Sequence, residues 1–223
     1  MHYPGPEPTD FDNVRALNTA LLSLLLRAGQ ATPVFHRDPP EGLRAALGRL
    51  GRLQRERLAS VPFLLFSLRE RDGAFWEGLL ADTASLELFP ETPPLEGDCG
   101  KLVAAGLSFA WQLAHRNAFA LRLLTGASLH WCEELAARPL VEVLDRAGAR
   151  ADVVELRCSD NAAFWAKLVE AGVSARSDVR SAAHLTAWQT MLTRVPAAEP
   201  RALASAACRN RVPALKVAEK PRN

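Results

Sequence analysis

The tripeptide Ala-Phe-Trp occurs twice in this chain, as Ala74-Phe75-Trp76 and as Ala163-Phe164-Trp165, and each copy stands at the start of a predicted helix. A block of the pattern E-x-L-A-x-x-P precedes each copy, at residues 56–62 and again at 133–139. The two matches keep the same order and include the uncommon residue tryptophan. We therefore predict an internal duplication, with two related helical modules in place of one irregular bundle.

The stretch Pro90–Gly97, which reads P-E-T-P-P-L-E-G, is the strongest linker candidate between these modules. The predicted organisation follows from it: a flexible acidic N-terminus at 1–10, a first helical module at 11–88, a Pro-rich linker at 89–98, a second helical module at 99–195, and a loose basic tail at 196–223.

Apolar residues at helical spacing predict an all-α fold for both modules. We expect the first helix to run from Asn13 to Ala28, and the second, the clearest amphipathic pattern, from Pro40 to Ala59. Pro62 is expected to open a third helix over Phe63–Glu70, because proline is favoured in a first helical turn.

Polar residues that precede apolar runs predict where later helices begin. Asp72 and Asn161 are suitable N-caps for the two Ala-Phe-Trp helices. Apolar and polar residues alternate in Ser85–Phe89 and in Val153–Arg157, so these two stretches are candidates for one small two-stranded pairing. The five tryptophans stand among Leu and Ala at helical spacing, and four of them are expected to be repeat-equivalent core anchors, although tryptophans could also line a ligand pocket or stack on bases.

The composition is that of an ordinary globular protein, with 48% hydrophobic and 23% charged residues. Apolar runs are too short for a membrane span, and the N-terminus lacks the basic start and apolar stretch of a secretory signal. The four cysteines lie far apart and form no disulfide framework or CxxC motif. These observations together predict a cytoplasmic protein that does not engage membranes.

The second predicted helix has a leucine stripe on one side and arginines on the other, namely Arg44, Arg49, Arg52 and Arg55. An arginine face of this kind occurs on many surface helices, and it also suits an acidic partner. In the absence of a catalytic motif, we predict a non-enzymatic cytoplasmic adaptor or regulatory subunit. It would bind an acidic protein through these arginines and would also associate with itself as a homo-oligomer. Gly48 and Gly51 interrupt the helix, which suggests that another group approaches the backbone there.

Two other functions stay open. The same arginines would serve a nucleic-acid-associated transcriptional regulator, although the segment Phe164–Arg194, read as a helix-turn-helix, lacks base-reading side chains. A pocket between the modules, with His115, His184 or Cys99 at its wall, would make the chain a small-ligand binder or an enzyme.

Cys99 is the candidate reactive thiol, because both a helix N-terminus and the neighbouring Lys101 would lower its pKa. His130 and Cys132 are two metal-ligand types, but residues i and i+2 point to different sides of a helix. We therefore expect no metal site, and no motif in the sequence predicts a cofactor.

Overall fold

The computed structural model describes residues 4–27, 38–81, 97–148 and 150–194. Within them the chain forms α1 (Pro8–Arg27), α2 (Leu43–Arg49), α3 (Arg52–Ala59), β1 (Phe66–Ser67), α4 (Gly73–Ala81), α5 (Gly97–Thr125), α6 (Leu129–Ala136), α7 (Leu140–Ala147), a 3-10 turn (Ala151–Val153), β2 (Glu155–Leu156), α8 (Ala162–Glu170) and α9 (Ser177–Thr193). The predicted all-α class with one small two-stranded pairing is confirmed. None of the described helices combines the length and the apolar character needed to cross a bilayer.

Helix α1 begins earlier than the predicted Asn13. Pro8 occupies its first turn, where proline loses no hydrogen bond, and the backbone N–H of Glu7 donates to the Asp10 carboxylate at 2.8 Å. The buried side of the helix, with Val14, Leu17 and Leu21, follows the predicted spacing.

The second predicted helix is in fact two, so the prediction of one continuous helix over Pro40–Ala59 is wrong. Leu50 is extended, with ψ 131°, and is buried. Gly51 then caps α3, and its N–H donates to the Gln54 side chain at 2.8 Å. The chain therefore turns at Leu50–Gly51, which buries Leu50 and starts a new helix.

The predicted helix over Phe63–Glu70 is also wrong. This stretch runs extended through the core, and its strand β1 pairs antiparallel with β2, so that Phe66 lies opposite Leu156. The strand predicted within Val153–Arg157 is confirmed in part, because Glu155–Leu156 form β2. Its partner is β1, which the alternation of apolar and polar residues did not indicate. The other predicted strand, Ser85–Phe89, lies outside the described residues, as do most of the linker and the tail.

Two buried side chains satisfy the backbone of this extended stretch. Asn18 donates to the carbonyls of Ala59 and Phe63 and accepts from the N–H of Leu65 at 2.8 Å. Arg157 donates to the carbonyl of Leu64 at 2.6 Å. These bonds take the place of helical hydrogen bonds for the backbone groups that they reach.

Helix α5 bends at Asn117, whose φ of −161° and ψ of 86° are not helical. The Asn117 side chain accepts from the N–H of Ala120 at 3.0 Å, so it caps the second part of the helix. It also donates to the carbonyl of Pro4, and Arg116 beside it pairs with Glu7 and Asp10. These contacts fix the N-terminal segment over the bend.

One hydrophobic cluster joins the described elements, from Val14 in α1 to Met191 in α9. Helix α1 packs against α5 and α3, α2 packs against α8, and α8 packs against α9. Trp76, Trp131 and Trp165 are buried in this cluster, as predicted for core anchors, while Trp111 and Trp188 are half-buried at its edge.

The two Ala-Phe-Trp segments share their local geometry. The indole N–H of Trp76 and that of Trp165 each donate to the carbonyl of the residue eight positions earlier. The predicted caps are confirmed, since Asp72 and Asn161 each accept from the N–H of the following Phe. The segments that connect the E-x-L-A-x-x-P block to the next strand differ, however. Before β1 the connection contains no helix, whereas before β2 it contains α7. The duplication of whole modules is not confirmed.

Candidate functional site

The four predicted arginines lie on α2 and α3, on either side of the break at Leu50–Gly51. Arg49 and Arg52 are exposed, whereas Arg44 and Arg55 are half-buried. Arg55 donates from Nη2 to the carbonyl of Gly48 at 3.4 Å, and Gly48 is one turn after Arg44 on the same side of α2. The break thus brings Arg55 beside the C-terminal turn of α2. We name Arg44, Arg49, Arg52 and Arg55 the arginine surface.

The arginine surface has more donors than acceptors. Of its four arginines, only Arg52 forms an ion pair with a described residue, which is Glu56 at 2.9 Å. The Nε atoms of Arg44 and Arg55 are buried and donate to no group there. A Cβ on Gly48 would meet nothing within 4 Å, so the close approach is made to its carbonyl and does not require glycine.

Leu53 is 65% exposed, the highest value among the described large apolar residues that lie at the surface, and it points to a different side of α3 from Arg55, two positions later. It follows Arg52, whose side chain is 92% exposed. The sequence pattern did not single out Leu53, because it assigned leucines in this region to the buried stripe.

A cleft of about 600 Å³ is the second candidate site. Its walls come from the start of α4, the second part of α5, the turn after α5, the first turns of α6 and the end of α9. Apolar lining is provided by Phe119, Leu123 and Leu192. This volume is in the range of small-molecule pockets.

Arg71 forms the floor of the cleft. It donates to the carbonyls of Gly126 at 2.9 Å, Arg194 at 2.5 Å and Met191 at 2.7 Å. Burial lowers the pKa of Arg71, with the Glu70 carboxylate acting in the opposite direction. The guanidinium nevertheless stays a cation, because arginine titrates far above neutral pH.

Gly126 is required at this place in the floor. Its φ is +72°, and a Cβ there would lie 2.7 Å from Nη2 of Arg71. Glycine therefore allows both the left-handed turn after α5 and the approach of the guanidinium.

Glu70 lies beside Arg71, but its carboxylate is buried and forms its hydrogen bonds and its ion pair within the core. It accepts from the Ser67 hydroxyl and the Leu68 N–H, and it pairs with Arg157 at 2.7 Å. Burial acts to raise the pKa of Glu70, but the Arg157 charge and these hydrogen bonds outweigh it, so the pKa is lowered. The carboxylate is thus ionised and already neutralised by a buried partner.

Two hydrogen-bond donors at the cleft have no acceptor in the described part of the chain. Trp131 is only 5% exposed, yet its indole N–H donates to no described group, whereas the other four tryptophans each donate theirs to a backbone carbonyl. Arg122 is exposed at the cleft and forms no ion pair with a described residue.

The remaining charged residues at the cleft are Glu77, Arg194, His130 and Glu134. Arg194 pairs with Asp160, and His130 lies 3.4 Å from Glu134. Glu77 is exposed and forms no ion pair with a described residue. The two donors of Trp131 and Arg122 are thus opposed by two carboxylates, those of Glu77 and Glu134.

The residues predicted to line a pocket are elsewhere. His115 is exposed, with its ring 4.1 Å from that of Trp111 between centroids. His184 is buried, its Nε2 lies 2.9 Å from the carbonyl of Gly172, and burial lowers its pKa. Neither residue lines the cleft.

Cys99 does lie in the first turn of α5, as predicted, but the predicted lowering of its pKa is wrong. Burial raises the pKa of this thiol, and Lys101 is directed to Asp98 at 3.6 Å. The thiolate form is therefore disfavoured. Burial and the charge of Glu70 likewise raise the pKa of Cys132, to about 12.

The cleft could not be found from sequence patterns, because its residues come from five elements and belong to no motif. Across the described residues, no three His, Cys, Asp or Glu side chains come together in a way that would hold a metal ion. Comparison of the chain with family models, curated proteins and solved structures finds no match to any of them.

Proposed function

We propose that this chain is a non-enzymatic interaction module, acting in the cytoplasm as an adaptor or regulatory subunit, which binds an acidic protein through the arginine surface. The observation that carries the proposal is a set of arginines that are mostly without acidic partners, with the exposed Leu53 next to Arg52. Arginine is enriched among the residues that contribute most of the free energy of protein–protein binding, and burial of an exposed apolar side chain adds to that free energy.

An acidic partner is favoured by the local charge. Arg44 and Arg49 have no ion pair with a described residue, and the one acidic side chain engaged by the arginine surface is Glu56. A carboxylate from a partner would accept from these guanidinium groups in the bidentate geometry that arginine prefers.

A protein partner is favoured over nucleic acid by Leu53 and by α9. A phosphate-binding surface needs several cations and gains little from an exposed leucine next to one of them. In the predicted helix-turn-helix, the exposed residues of α9 include Ser181, Ala182 and Leu185, which supply no cation for phosphate contacts.

The experiment is affinity capture from a nuclease-treated lysate of the source cells, with two variants beside the native chain. Arg49→Glu reverses a charge and Leu53→Asp removes the exposed apolar side chain, while Arg15→Glu on the exposed side of α1 is the matched control. One discrete protein that is retained by the native chain and the control, and lost at least tenfold with both surface variants, supports the proposal.

The captured protein is then titrated with the purified native chain at low and moderate salt. A partner whose affinity is the same for the native chain and both surface variants would contradict the proposal. Retention of nucleic acid alone, in a lysate without nuclease, would point to the regulator. If the captured protein is the chain itself, the arginine surface is a self-association interface, which sedimentation at increasing concentration would reveal.

A further inference from the structure

We propose that the cleft between α4, α5, α6 and α9 binds a small organic carboxylate with an apolar body. This site is separate from the arginine surface, and the proposal does not depend on that surface binding a protein.

The first step in the argument is Trp131. Four of the five tryptophans donate their indole N–H to a backbone carbonyl, so this fold provides acceptors for buried indoles. Trp131 is 5% exposed and lines the cleft, and its N–H has no acceptor among the described residues. Solvent still reaches this nitrogen, so an acceptor from a ligand in the cleft would take the place of water there.

The second step is the charge of the acceptor. Arg122 contributes a guanidinium with no acidic partner in the described segments, and Arg71 contributes a second one, which donates to backbone carbonyls. The carbonyls of Gly126 and Met191 and the Glu70 carboxylate are already occupied by Arg71 and Arg157. The guanidinium groups of Arg71 and Arg122 are balanced by the carboxylates of Glu77 and Glu134, so a carboxylate ligand would be held by the donors of Arg122 and Trp131 and not by an excess of positive charge.

Helix α6 adds to this preference. Its N-cap Ser128 lies at the cleft and accepts from the N–H of Trp131 at 3.1 Å. The first turn of α6 thus faces the same space as Arg122, and the N-terminal end of a helix carries a partial positive charge.

The third step is the body of the ligand. Phe119, Leu123 and Leu192 line the cleft, and Leu192 is 38% exposed in the free protein. A bare inorganic anion would leave this apolar lining uncovered. An aromatic ring or a short alkyl chain attached to a carboxylate would cover it and fits a volume of about 600 Å³.

Glu77 provides an internal check on the sign of the charge. It lines the α4 side of the cleft, is exposed, and forms no ion pair within the described ranges. A carboxylate ligand would be repelled by Glu77 and attracted by Arg122. The two neutralising substitutions Glu77→Gln and Arg122→Gln should therefore change the affinity in opposite directions.

The test is isothermal titration calorimetry of the full chain with benzoate, 2-naphthoate and octanoate as probes. We expect saturable binding of at least one probe, with weaker binding of the matching alcohol. Arg122→Gln should weaken binding about tenfold, which corresponds to losing one charged hydrogen bond, and Glu77→Gln should strengthen it about threefold. Arg15→Gln, on the exposed side of α1, is the control and should change nothing.

Trp131→Phe is the second variant, because it removes the N–H and keeps an aromatic ring against Trp76. Its fold is checked by thermal unfolding before titration, and Arg122→Gln, which alters an exposed side chain, keeps the test valid if Trp131→Phe unfolds. The proposal is overturned if none of the three carboxylates binds. It is equally overturned if Arg122→Gln and Glu77→Gln leave the affinity unchanged, or if the alcohols bind as tightly as the acids.

Discussion

Replacing Arg157 by methionine should be among the most destabilising single changes in this protein. Arg157 is 5% exposed and donates to the carbonyls of Leu64, Phe66 and Thr125 and to the carboxylate of Glu70, over distances of 2.5 to 2.7 Å. Methionine fills much of the same space but leaves all four acceptors without this donor and Glu70 as a buried charge without its cation.

The size of the effect follows from that unpaired charge. Removing one partner of a buried ion pair costs roughly 3–5 kcal/mol, and we expect a loss of about 4 kcal/mol in the free energy of unfolding. With an ordinary dependence on urea, this moves the unfolding midpoint by about 2 M. The measurement is urea unfolding at pH 7, followed by the intrinsic fluorescence of the tryptophans.

Acid pH gives a second test of the same reasoning. In the native protein the pKa of Glu70 is lowered by folding. The ionised carboxylate therefore contributes its full stabilisation of the fold at pH values above about 4.3, the ordinary pKa of glutamate. That contribution is lost as the pH falls through the lower pKa of the folded state. In Arg157→Met the carboxyl is buried without a cation, so it will take up a proton more readily. The difference in stability between native and variant should therefore shrink from pH 7 to pH 4.

The double variant Glu70→Gln/Arg157→Met separates the charge from the lost donors. Because it contains no unpaired buried charge, it should be more stable than Arg157→Met alone at pH 7. A loss below about 1 kcal/mol for Arg157→Met would refute the reasoning. So would a difference that does not depend on pH.

Three further changes test other contacts. Gly126→Ala should lower the free energy of unfolding by about 1–3 kcal/mol, because φ is +72° and the new Cβ would lie 2.7 Å from Nη2 of Arg71. The control is Gly48→Ala, which has open space around the new Cβ and should stabilise α2 by about 0.5–1 kcal/mol. Both effects are measured by thermal unfolding. Asn18→Ala removes the three hydrogen bonds to the extended stretch and should cost about 2–4 kcal/mol in urea unfolding, and an unchanged midpoint would show that water replaces them. Cys132 is buried with its pKa raised to about 12, so labelling at pH 7.5, located by mass spectrometry, should reach it only under unfolding conditions.

The sequence was sufficient to predict the features of this fold that depend on neighbours in the chain. The caps Asp72 and Asn161 were predicted correctly because an N-cap acts on a backbone N–H three residues away. The buried side of α1 was also predicted, since helical spacing and burial coincide there.

The extended stretch before β1 was predicted wrongly, because its conformation depends on distant groups. Phe63–Leu68 is a run of apolar residues, which local pattern cannot assign to helix or strand. Asn18 and Arg157 satisfy its backbone from far along the chain, and only the folded structure brings them there.

The two candidate sites differ in the same way. The four arginines could be identified from sequence because they recur along one segment, although the break at Leu50–Gly51 and the exposure of Leu53 could not. The cleft was not predicted, because Arg71, Arg122 and Trp131 come from separate elements and each is ordinary in its local context.

The hydrogen bonds of Arg157 also bear on how the chain matures during synthesis. They reach residues 87, 91 and 93 positions earlier. A ribosome that has released the chain only as far as Leu156 has already made Glu70 and the whole stretch before β1, but not the guanidinium that both require. The N-terminal half must therefore wait, with an acidic side chain and several carbonyls still hydrated, until most of the second half has emerged. Chaperones that hold nascent chains would have their longest opportunity in that interval.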